Sequence, residues 1–482
     1  MVDVVMISNM YLTICAVLRA AIYTPKLSEY ISLDKKHFTR NRTLTARVIL
    51  AKLLCKCYGS IQAHAIITEM ETGKPCYAKS SFSEAREYFD PEYLKDMFRQ
   101  TVDVYFICED LPKLLDEYIG VAIDGMKCNL NSSACNKEEF GWFGHKDATM
   151  GMLSLAVDVV SGIILAAQID KSADDERKAA LELIKQITER FKKNKKGRKL
   201  LFLFDRGYPD DDLVKELLKV NAYFVMRCKS NYHKDLKTIK RTGKITLKNG
   251  IKVRCVYFKL DSGKDEWLIT NLSQKKFPYM TLKLLYSLRW HVEECNKVLK
   301  SRLNLENVSG RKPISVYQDM YATLIKHNVA ASLALSAQAK IDINYNQMSW
   351  IELYDHFIDL ELDMDLFYKT KEKEYIKARD EWNAKEAEKK ANGEAPSPKK
   401  DAPRREKDFG SGTTNHRMKP NMSLTCALVS FCYMDMLMGK DNFDKVFNYI
   451  VKYPEQVRPG RMHKRKKPRC MRYYDTYKRI VA

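Results

Sequence analysis

The stretch Lys199-Leu-Leu-Phe-Leu-Phe-Asp-Arg-Gly-Tyr208 joins a nearly continuous apolar run to a turn that contains glycine. A short apolar run bounded by turn residues predicts a buried strand, here over residues 199–204. Downstream, the pattern predicts a helix over 210–220 and another strand over 223–227. Asp205 therefore comes directly after a buried strand.

The segments upstream predict a further group of strands. Compact apolar runs and one amphipathic pattern predict three strands and a helix, over 118–123, 150–160, 162–169 and 174–192. This order suggests an α/β fold with a mixed sheet covered by helices. Functional side chains gather at strand ends in such sheets, and Asp124 ends the first strand as Asp205 ends the fourth.

Residues 230–276 are rich in strand patterns. They predict three short strands, over 244–248, 251–260 and 266–271. Asn249-Gly250 between the first two is a strong hairpin signal. We interpret this segment as a small β insertion that interrupts the α/β fold in sequence but not in space.

The next segment, Tyr286-Ser-Leu-Arg-Trp-His-Val-Glu-Glu-Cys-Asn-Lys-Val-Leu-Lys300, predicts a helix over about 281–302. Tyr286, Arg289, Glu293 and Lys300 would share one face, within an arc of roughly 60°. A carboxylate binds hard divalent cations, and the other three groups bind phosphate oxygens. A solvated helix with intrahelical ion pairs is the alternative for any single one of them.

Three carboxylates are candidates for one metal site: Asp124, Asp205 and Glu293. Such a trio can bind two Mg²⁺ or Mn²⁺ ions about 3.5–4 Å apart and assist an in-line displacement at phosphorus. Taken singly, a strand-end Asp is often only a turn former or a cap. No Walker-type glycine loop precedes these residues, so the sequence gives no support for an ATPase.

Three sequence blocks resemble the DDE transposases of bacterial insertion sequences. They are Ala122-Ile-Asp-Gly125, Leu203-Phe-Asp-Arg-Gly-Tyr208 and Tyr286-x2-Arg289-x3-Glu293-x6-Lys300. The last block matches the Tyr-Arg-Glu-Lys signature of the insertion-sequence-four family. The resemblance is good from about residue 38 to residue 328, patchy over 421–472, and absent at the N-terminus and in the charged segment before residue 409.

The resemblance implies an RNase H-like catalytic core and two Mg²⁺ ions per active site, for which Mn²⁺ would substitute. Asp124 would bridge both ions, and Asp205 and Glu293 would each complete one site. Tyr286, Arg289 and Lys300 would grip phosphates of the transposon end.

Four further implications concern DNA contact and assembly. In relatives that form a DNA hairpin, a Trp in the β insertion receives a flipped base, and Trp267 is the candidate here. Trp290 is a second candidate, and Arg206 beside Asp205 is a further DNA-binding candidate. The alternative for each Trp is packing inside the sheet or against the helix. Pairing of two ends suggests a homodimer, in a bacterial cytoplasm and at the nucleoid when bound to DNA.

The net charge agrees with a DNA partner, and the cysteine spacing bears on zinc binding and redox compartment. Lys and Arg number 83 against 61 acids, a net charge of +22, so the surface should attract polyanions, with nucleic acid first. None of the 13 Cys forms Cys-x-x-Cys, and Cys128 and Cys135 lack a suitably spaced His, which disfavours structural zinc. Reduced thiols in a cytosolic protein are the simplest account.

The remaining segments predict four regions: a helical DNA-binding region (1–114), the catalytic domain (115–340), a helical segment with a charged linker (341–408) and a basic C-terminal region (409–482). Short N-terminal helices with Arg40, Arg42, Arg86 and Arg99 could read DNA, and an all-helical cap on the next domain is equally compatible. The basic tail, with Tyr473, Tyr474 and Tyr477, should lie against polyanion or stay disordered.

We therefore expect a cut-and-paste DNA transposase with no membrane partner. Three alternatives stay open: a catalytically inactive DNA-binding descendant, a sequence-indifferent metal-dependent nuclease, and a membrane-associated protein. The last rests on the apolar segment 4–23, which Asn9 and Arg19 interrupt and which lacks a signal peptide's charged start.

Overall fold

The computed structural model describes most of the chain. The ranges are 4–34, 36–40, 43–55, 61–73, 77–108, 117–143, 148–171, 175–193, 197–259, 264–347, 376–389, 391–393, 417–437 and 443–456. Most of the predicted charged linker and nearly all of the basic tail, with its three tyrosines, lie outside these ranges.

One large sheet dominates the described part of the chain. Its nine strands are β1 (Tyr118–Asn129), β2 (Trp142–Phe143), β3 (Ala148–Asp158), β4 (Ile164–Lys171), β5 (Lys199–Phe204), β6 (Tyr223–Cys228), β7 (Thr242–Thr246), β8 (Lys252–Lys259) and β9 (Asp265–Thr270). They lie in the order β2-β3-β1-β5-β6-β9-β8-β7, with β4 also beside β3. A separate pair joins β10 (Met418–Lys419) to β11 (Glu455–Gln456).

The strand directions confirm the predicted fold class. β3 is antiparallel to both β4 and β1, whereas β5 runs parallel to β1, and β6 parallel to β5. Three antiparallel strands followed by two parallel ones make the mixed sheet of an RNase H-like core. β9 then pairs antiparallel with β6 and carries β8 and β7, so the predicted β insertion extends this same sheet.

Helices cover the sheet and build a second layer. They are α1 (Val4–Ile22), α2 (Leu27–Ile31), α3 (Ala46–Cys55), α4 (Ile61–Thr72), α5 (Lys79–Arg86), α6 (Pro91–Ile107), α7 (Ala134–Phe140), α8 (Glu176–Lys193), α9 (Asp211–Lys219), α10 (Tyr279–Ser287), α11 (Trp290–Lys297), α12 (Pro313–Asn344), α13 (Met422–Leu437) and α14 (Phe443–Lys452). Residues 376–389 are also helical. Within the described ranges, each helix is either too short or too polar to span a lipid bilayer.

The long helix α12 is the centre of the helical layer. It is buried along most of its length, and α1, α3, α6, α13 and α14 pack against it. The N-terminal helices α1 and α6 therefore cover α12, as the cap interpretation expects. The nine cysteines whose side chains the structure describes are free thiols, and most of these are buried.

Arg86 corrects one prediction about the N-terminal region. Its side chain is only 2% exposed and forms an ion pair of 2.7 Å with Asp319 on α12. It also donates hydrogen bonds to Gln318 and Ser309. Arg86 is therefore a structural residue, and the expectation that it contacts DNA is wrong. Arg40 and Arg99 stay predictions, and Arg42 lies outside the described residues.

Candidate active site

Asp124 in β1 and Asp205 just after β5 lie side by side in the middle of the sheet, where β5 ends. β1 and β5 run parallel in a register that pairs Ile123 with Phe204, so the next residue of each chain is a carboxylate. Neighbouring strands are about 4.8 Å apart, which sets the spacing of the two backbones. The predicted convergence of these two residues therefore follows from the sheet register.

One detail of Asp124 differs from the prediction. β1 does not end there but continues to Asn129, still paired with β3, so Asp124 lies in mid-strand. The apolar run of β1 ends at Ile123, opposite the last residue of β5, although β1 itself continues. Asp205 does directly follow the end of its strand.

Glu293 is supplied by a helix that is less regular than predicted. The single helix over 281–302 is wrong: α10 ends at Ser287, α11 begins at Trp290, and Val298–Arg302 is π-helical. Across the break and into the first turn of α11, the N–H groups of Leu288, Arg289, His291 and Val292 donate to carbonyls three residues back. This tighter, 3₁₀-like turn shifts the angular spacing between Tyr286 and Glu293.

Arg289 and Asn296 connect this helix to the carboxylates. Arg289 Nη2 donates to Glu293 Oε1 at 2.8 Å, and its side chain is 8% exposed. Asn296, one turn after Glu293, donates from Nδ2 to Asp124 Oδ2 at 3.0 Å. The Asn296 hydrogen bond thereby holds α11 against β1, and Glu293 lies near enough for its charge to act on Asp124.

The charges at this edge act on one another. Burial raises the pKa of Asp124 to about 6, the Arg289 guanidinium opposes that rise, and the charges of Glu293 and Asp205 add to it. A buried place where like charges meet is unfavourable without a cation. In this structure, Arg289 supplies positive charge to the group.

The donor set suits a hard cation, although the side chains are not gathered around one point. Among the described residues, no three His, Cys, Asp or Glu side chains lie close enough to share an ion. Glu293 and Asp124 are instead engaged by Arg289 and Asn296. Carboxylate oxygens are nevertheless the ligands that Mg²⁺ prefers. In the predicted two-ion arrangement, each ion would contact only two of the three carboxylates.

The predicted phosphate-binding residues occupy two places. Tyr286 is 9% exposed, and its hydroxyl lies 3.5 Å from Asp205 Oδ1, close to Arg289. Lys300, in the π-helical segment after α11, contacts β1 farther along that strand. It donates to the Lys127 carbonyl at 2.5 Å and pairs with Glu306 at 3.1 Å. Lys127 is three residues past Asp124, which corresponds to about 10 Å along a strand.

The two Trp candidates differ in accessibility. Trp267 lies in β9, is 7% exposed, and packs against Tyr257 with ring centroids 5.6 Å apart. A flipped base could stack on it only after it was uncovered. Trp290 is 48% exposed, and Lys297 Nζ lies 5.1 Å from the centre of its ring. The DNA-binding roles of both residues stay predictions.

Sequence reasoning missed a second arginine at the site. Arg227, the penultimate residue of β6, pairs with Glu266 of β9 at 2.9 Å and approaches Asp205 Oδ1 to 3.8 Å. Glu266 is largely buried, and burial raises its pKa. Arg227 closes the predicted strand 223–227, so the strand-end rule applied to Asp124 and Asp205 was the available signal.

Comparison with known proteins supports a DNA transposase. Residues 116–329, from before β1 into α12, match the family model of the transposase DDE domain, and this range contains Asp124, Asp205 and Glu293. No curated protein sequence is significantly similar to the chain.

A solved structure is similar at a low level. It is the piggyBac transposase synaptic complex with hairpin DNA, determined by cryo-electron microscopy. The TM-score is 0.41 and the identity 10%, over 72% of this chain and 80% of that one. This similarity adds nothing to the fold that the strand order already defines.

Proposed function

We propose that this chain is a DNA transposase of the insertion-sequence-four type. It binds the terminal inverted repeats of its element, cleaves the element's ends, and joins the new 3′ hydroxyls to target DNA. The observation that carries the proposal is the strand register that brings Asp124 beside Asp205, with Glu293 near enough for its charge to raise the pKa of Asp124, inside the range that matches the transposase DDE domain.

Asp124, Asp205 and Glu293 would hold Mg²⁺ or Mn²⁺ ions at this site. When bound, such ions activate the attacking oxygen and stabilise the leaving oxygen of an in-line displacement. Cleavage uses water and joining uses a sugar hydroxyl, but both attack phosphorus in line. One site therefore serves both reactions.

The other residues of the edge bind and orient the DNA. Burial raises the pKa of Tyr286 far above its usual value, so the phenol stays protonated and can donate a hydrogen bond to a phosphate oxygen. Arg289 offers a planar guanidinium suited to the same group. Lys300, which contacts β1 at the Lys127 carbonyl, would bind a phosphate some distance from the scissile one.

The test is an end-cleavage assay with purified protein and Mg²⁺. The substrate is a linear duplex in which the DNA that borders the reading frame on both sides is embedded in unrelated sequence. We expect cuts at the boundaries of matched inverted repeats, followed by products joined to a second duplex. Binding without cuts, with Mn²⁺ as well as Mg²⁺, would instead identify an inactive DNA-binding descendant. Equal cutting of DNA without the repeats would identify a general nuclease.

We also propose that two copies act together in a bacterial cytoplasm, at the nucleoid when bound to DNA. Pairing of two ends before cleavage requires a site for each end, which a homodimer supplies. A gel-shift experiment with repeat-containing duplexes of two lengths tests this, because a paired complex gives a third band that contains both lengths. Two bands only, at protein concentrations that saturate both duplexes, would contradict the dimer.

A further inference from the structure

A cleft opens beside the candidate active site, at the carboxyl ends of β5 and β6. Its volume is about 290 Å³, and its lining residues come from three segments. They are Arg177 near the start of α8; Arg206, Gly207 and Pro209 after β5; and Lys229, Asn231 and Tyr232 after β6. Since Arg206 directly follows Asp205, the cleft begins one residue from a proposed metal ligand.

The cleft lies on the face of the sheet opposite α11. Side chains alternate along a strand, so Gly125 faces away from Asp124. A Cβ placed on Gly125 would lie 3.5 Å from the Glu176 carboxyl carbon, and one on Gly207 would lie 3.9 Å from a Glu176 oxygen. Asp124 itself contacts Asn296 of α11. A DNA strand crossing this edge would therefore meet the carboxylates on one side and the cleft on the other.

The walls of the cleft are fixed by hydrogen bonds. The Tyr232 hydroxyl donates to Asp211 Oδ1 at 2.8 Å, and the backbone N–H of Lys248 donates to Asp211 Oδ2 at 2.7 Å. On the other wall, Arg177 pairs with Asp210 at 3.3 Å, and Asp210 also caps the N-terminus of α9. The positions of Arg177 and Tyr232 are thus set before any ligand arrives.

The remaining polar side chains of the cleft have no such partners. Arg206 and Lys229 are exposed, and neither forms an ion pair with another described residue. The Asn231 side-chain amide is also exposed and makes no hydrogen bond within the described ranges. Arg206 and Lys229 therefore bring unpaired positive charge to a concave surface, which attracts and concentrates anions.

We infer that this cleft binds the phosphodiester backbone of the DNA strand next to the scissile phosphate. The inference rests on the proposed function, which supplies the DNA, and adds a contact that the carboxylate edge does not make. Arg206 and Lys229 each pair with a phosphate, and the fixed wall of Arg177 and Tyr232 limits the path of the strand. Phosphate contacts of this kind set the register of a protein on DNA.

The test couples single protein charges to single phosphates. The probe is a duplex cut from the DNA that borders the reading frame, ending at the repeat boundary. Its phosphates near that boundary are replaced one at a time by neutral methylphosphonates. Binding is measured in EDTA with the full chain. In the unaltered protein, one or two replacements should weaken binding about tenfold, as expected for a charged hydrogen bond.

The phosphate that pairs with Arg206 should lose its effect in Arg206→Ala, and the phosphate that pairs with Lys229 should lose its effect in Lys229→Ala, because partners in one contact are not additive. Each variant should still respond to replacement of the other phosphate. Arg206→Lys should restore much of the affinity. Lys185→Ala removes an exposed charge of α8 outside the cleft lining and serves as the matched control, with every phosphate effect retained. Normal thermal unfolding checks that each variant is folded.

The possible failures are distinguishable. If the unaltered protein binds the duplex but Arg206→Ala and Lys229→Ala respond to every methylphosphonate as it does, the cleft inference is overturned and the proposed function stands. If the unaltered protein shows no preference for repeat-containing DNA, the proposed function fails and the cleft inference fails with it.

Discussion

The buried ion pair between Arg86 and Asp319 ties the N-terminal helices to the rest of the molecule. The two side chains are 2% and 1% exposed, and their charged atoms lie 2.7 Å apart. Asp319 also accepts hydrogen bonds from the Ser309 backbone N–H at 2.7 Å and from its hydroxyl at 2.9 Å. The pair thus joins α5, α12 and the loop that precedes α12.

Arg86→Ala should therefore destabilise the fold strongly. The change leaves the Asp319 carboxylate buried without the guanidinium that pairs with it, and breaking a buried pair from one side costs about 3–5 kcal/mol. The free energy of unfolding from urea denaturation, followed by circular dichroism, measures this. The double variant Arg86→Met with Asp319→Leu removes both charges and should lose less stability than Arg86→Ala alone.

The matched control is Arg99→Ala. Arg99 pairs with Asp96 at 2.6 Å, but the two side chains are 38% and 58% exposed. An exposed pair contributes about 0–1 kcal/mol, so this variant should unfold nearly as the unaltered protein does. Equal stability losses for Arg86→Ala and Arg99→Ala would refute the assigned role of the buried pair.

Two other predictions concern buried carboxylates. Glu266→Gln removes the charge that holds Arg227 beside Asp205, so cleavage of the ends should slow about tenfold, with circular dichroism confirming that the variant is folded. An unchanged rate would show that Arg227 needs no such support. Burial raises the pKa of Asp158 to about 6, against hydrogen bonds from Ser161 that lower it. A raised carboxyl pKa means that protonation of Asp158 favours the folded state. This contribution to the free energy of unfolding is complete below about pH 4 and is lost as the pH rises through 6. Unfolding measured from pH 4 to 7 should show Asp158→Asn gaining about 2–3 kcal/mol relative to the unaltered protein, and parallel curves would contradict this.

The sequence predicted most strands of the sheet because each is a short apolar run bounded by turn residues, which is a local pattern. The strand over 199–204 is identical in the structure, and the other predicted strands differ by one or two residues at their ends, except that β1 extends six residues beyond the predicted 118–123. Asp124 and Asp205 were placed together by a rule about strand ends that needs no tertiary information. The register that puts them side by side, Ile123 opposite Phe204, supplied the rest.

Features that depend on distant partners were not accessible in the same way. Arg86 looked like a free surface cation because its partner Asp319 lies 233 residues away in sequence. Trp267 looked available for stacking because an apolar strand does not show which of its faces is covered. The break before Trp290 leaves the apolar spacing nearly intact, so periodicity alone predicted one continuous helix.

The most direct test of the account is metal-dependent cleavage by isosteric variants of the three carboxylates. Asp124→Asn, Asp205→Asn and Glu293→Gln keep the shape of each side chain but remove its charge. Each should lose cleavage of repeat-containing DNA in Mg²⁺ and in Mn²⁺ while binding that DNA with near-normal affinity. Cleavage at an undiminished rate by any one of the three variants would contradict the account.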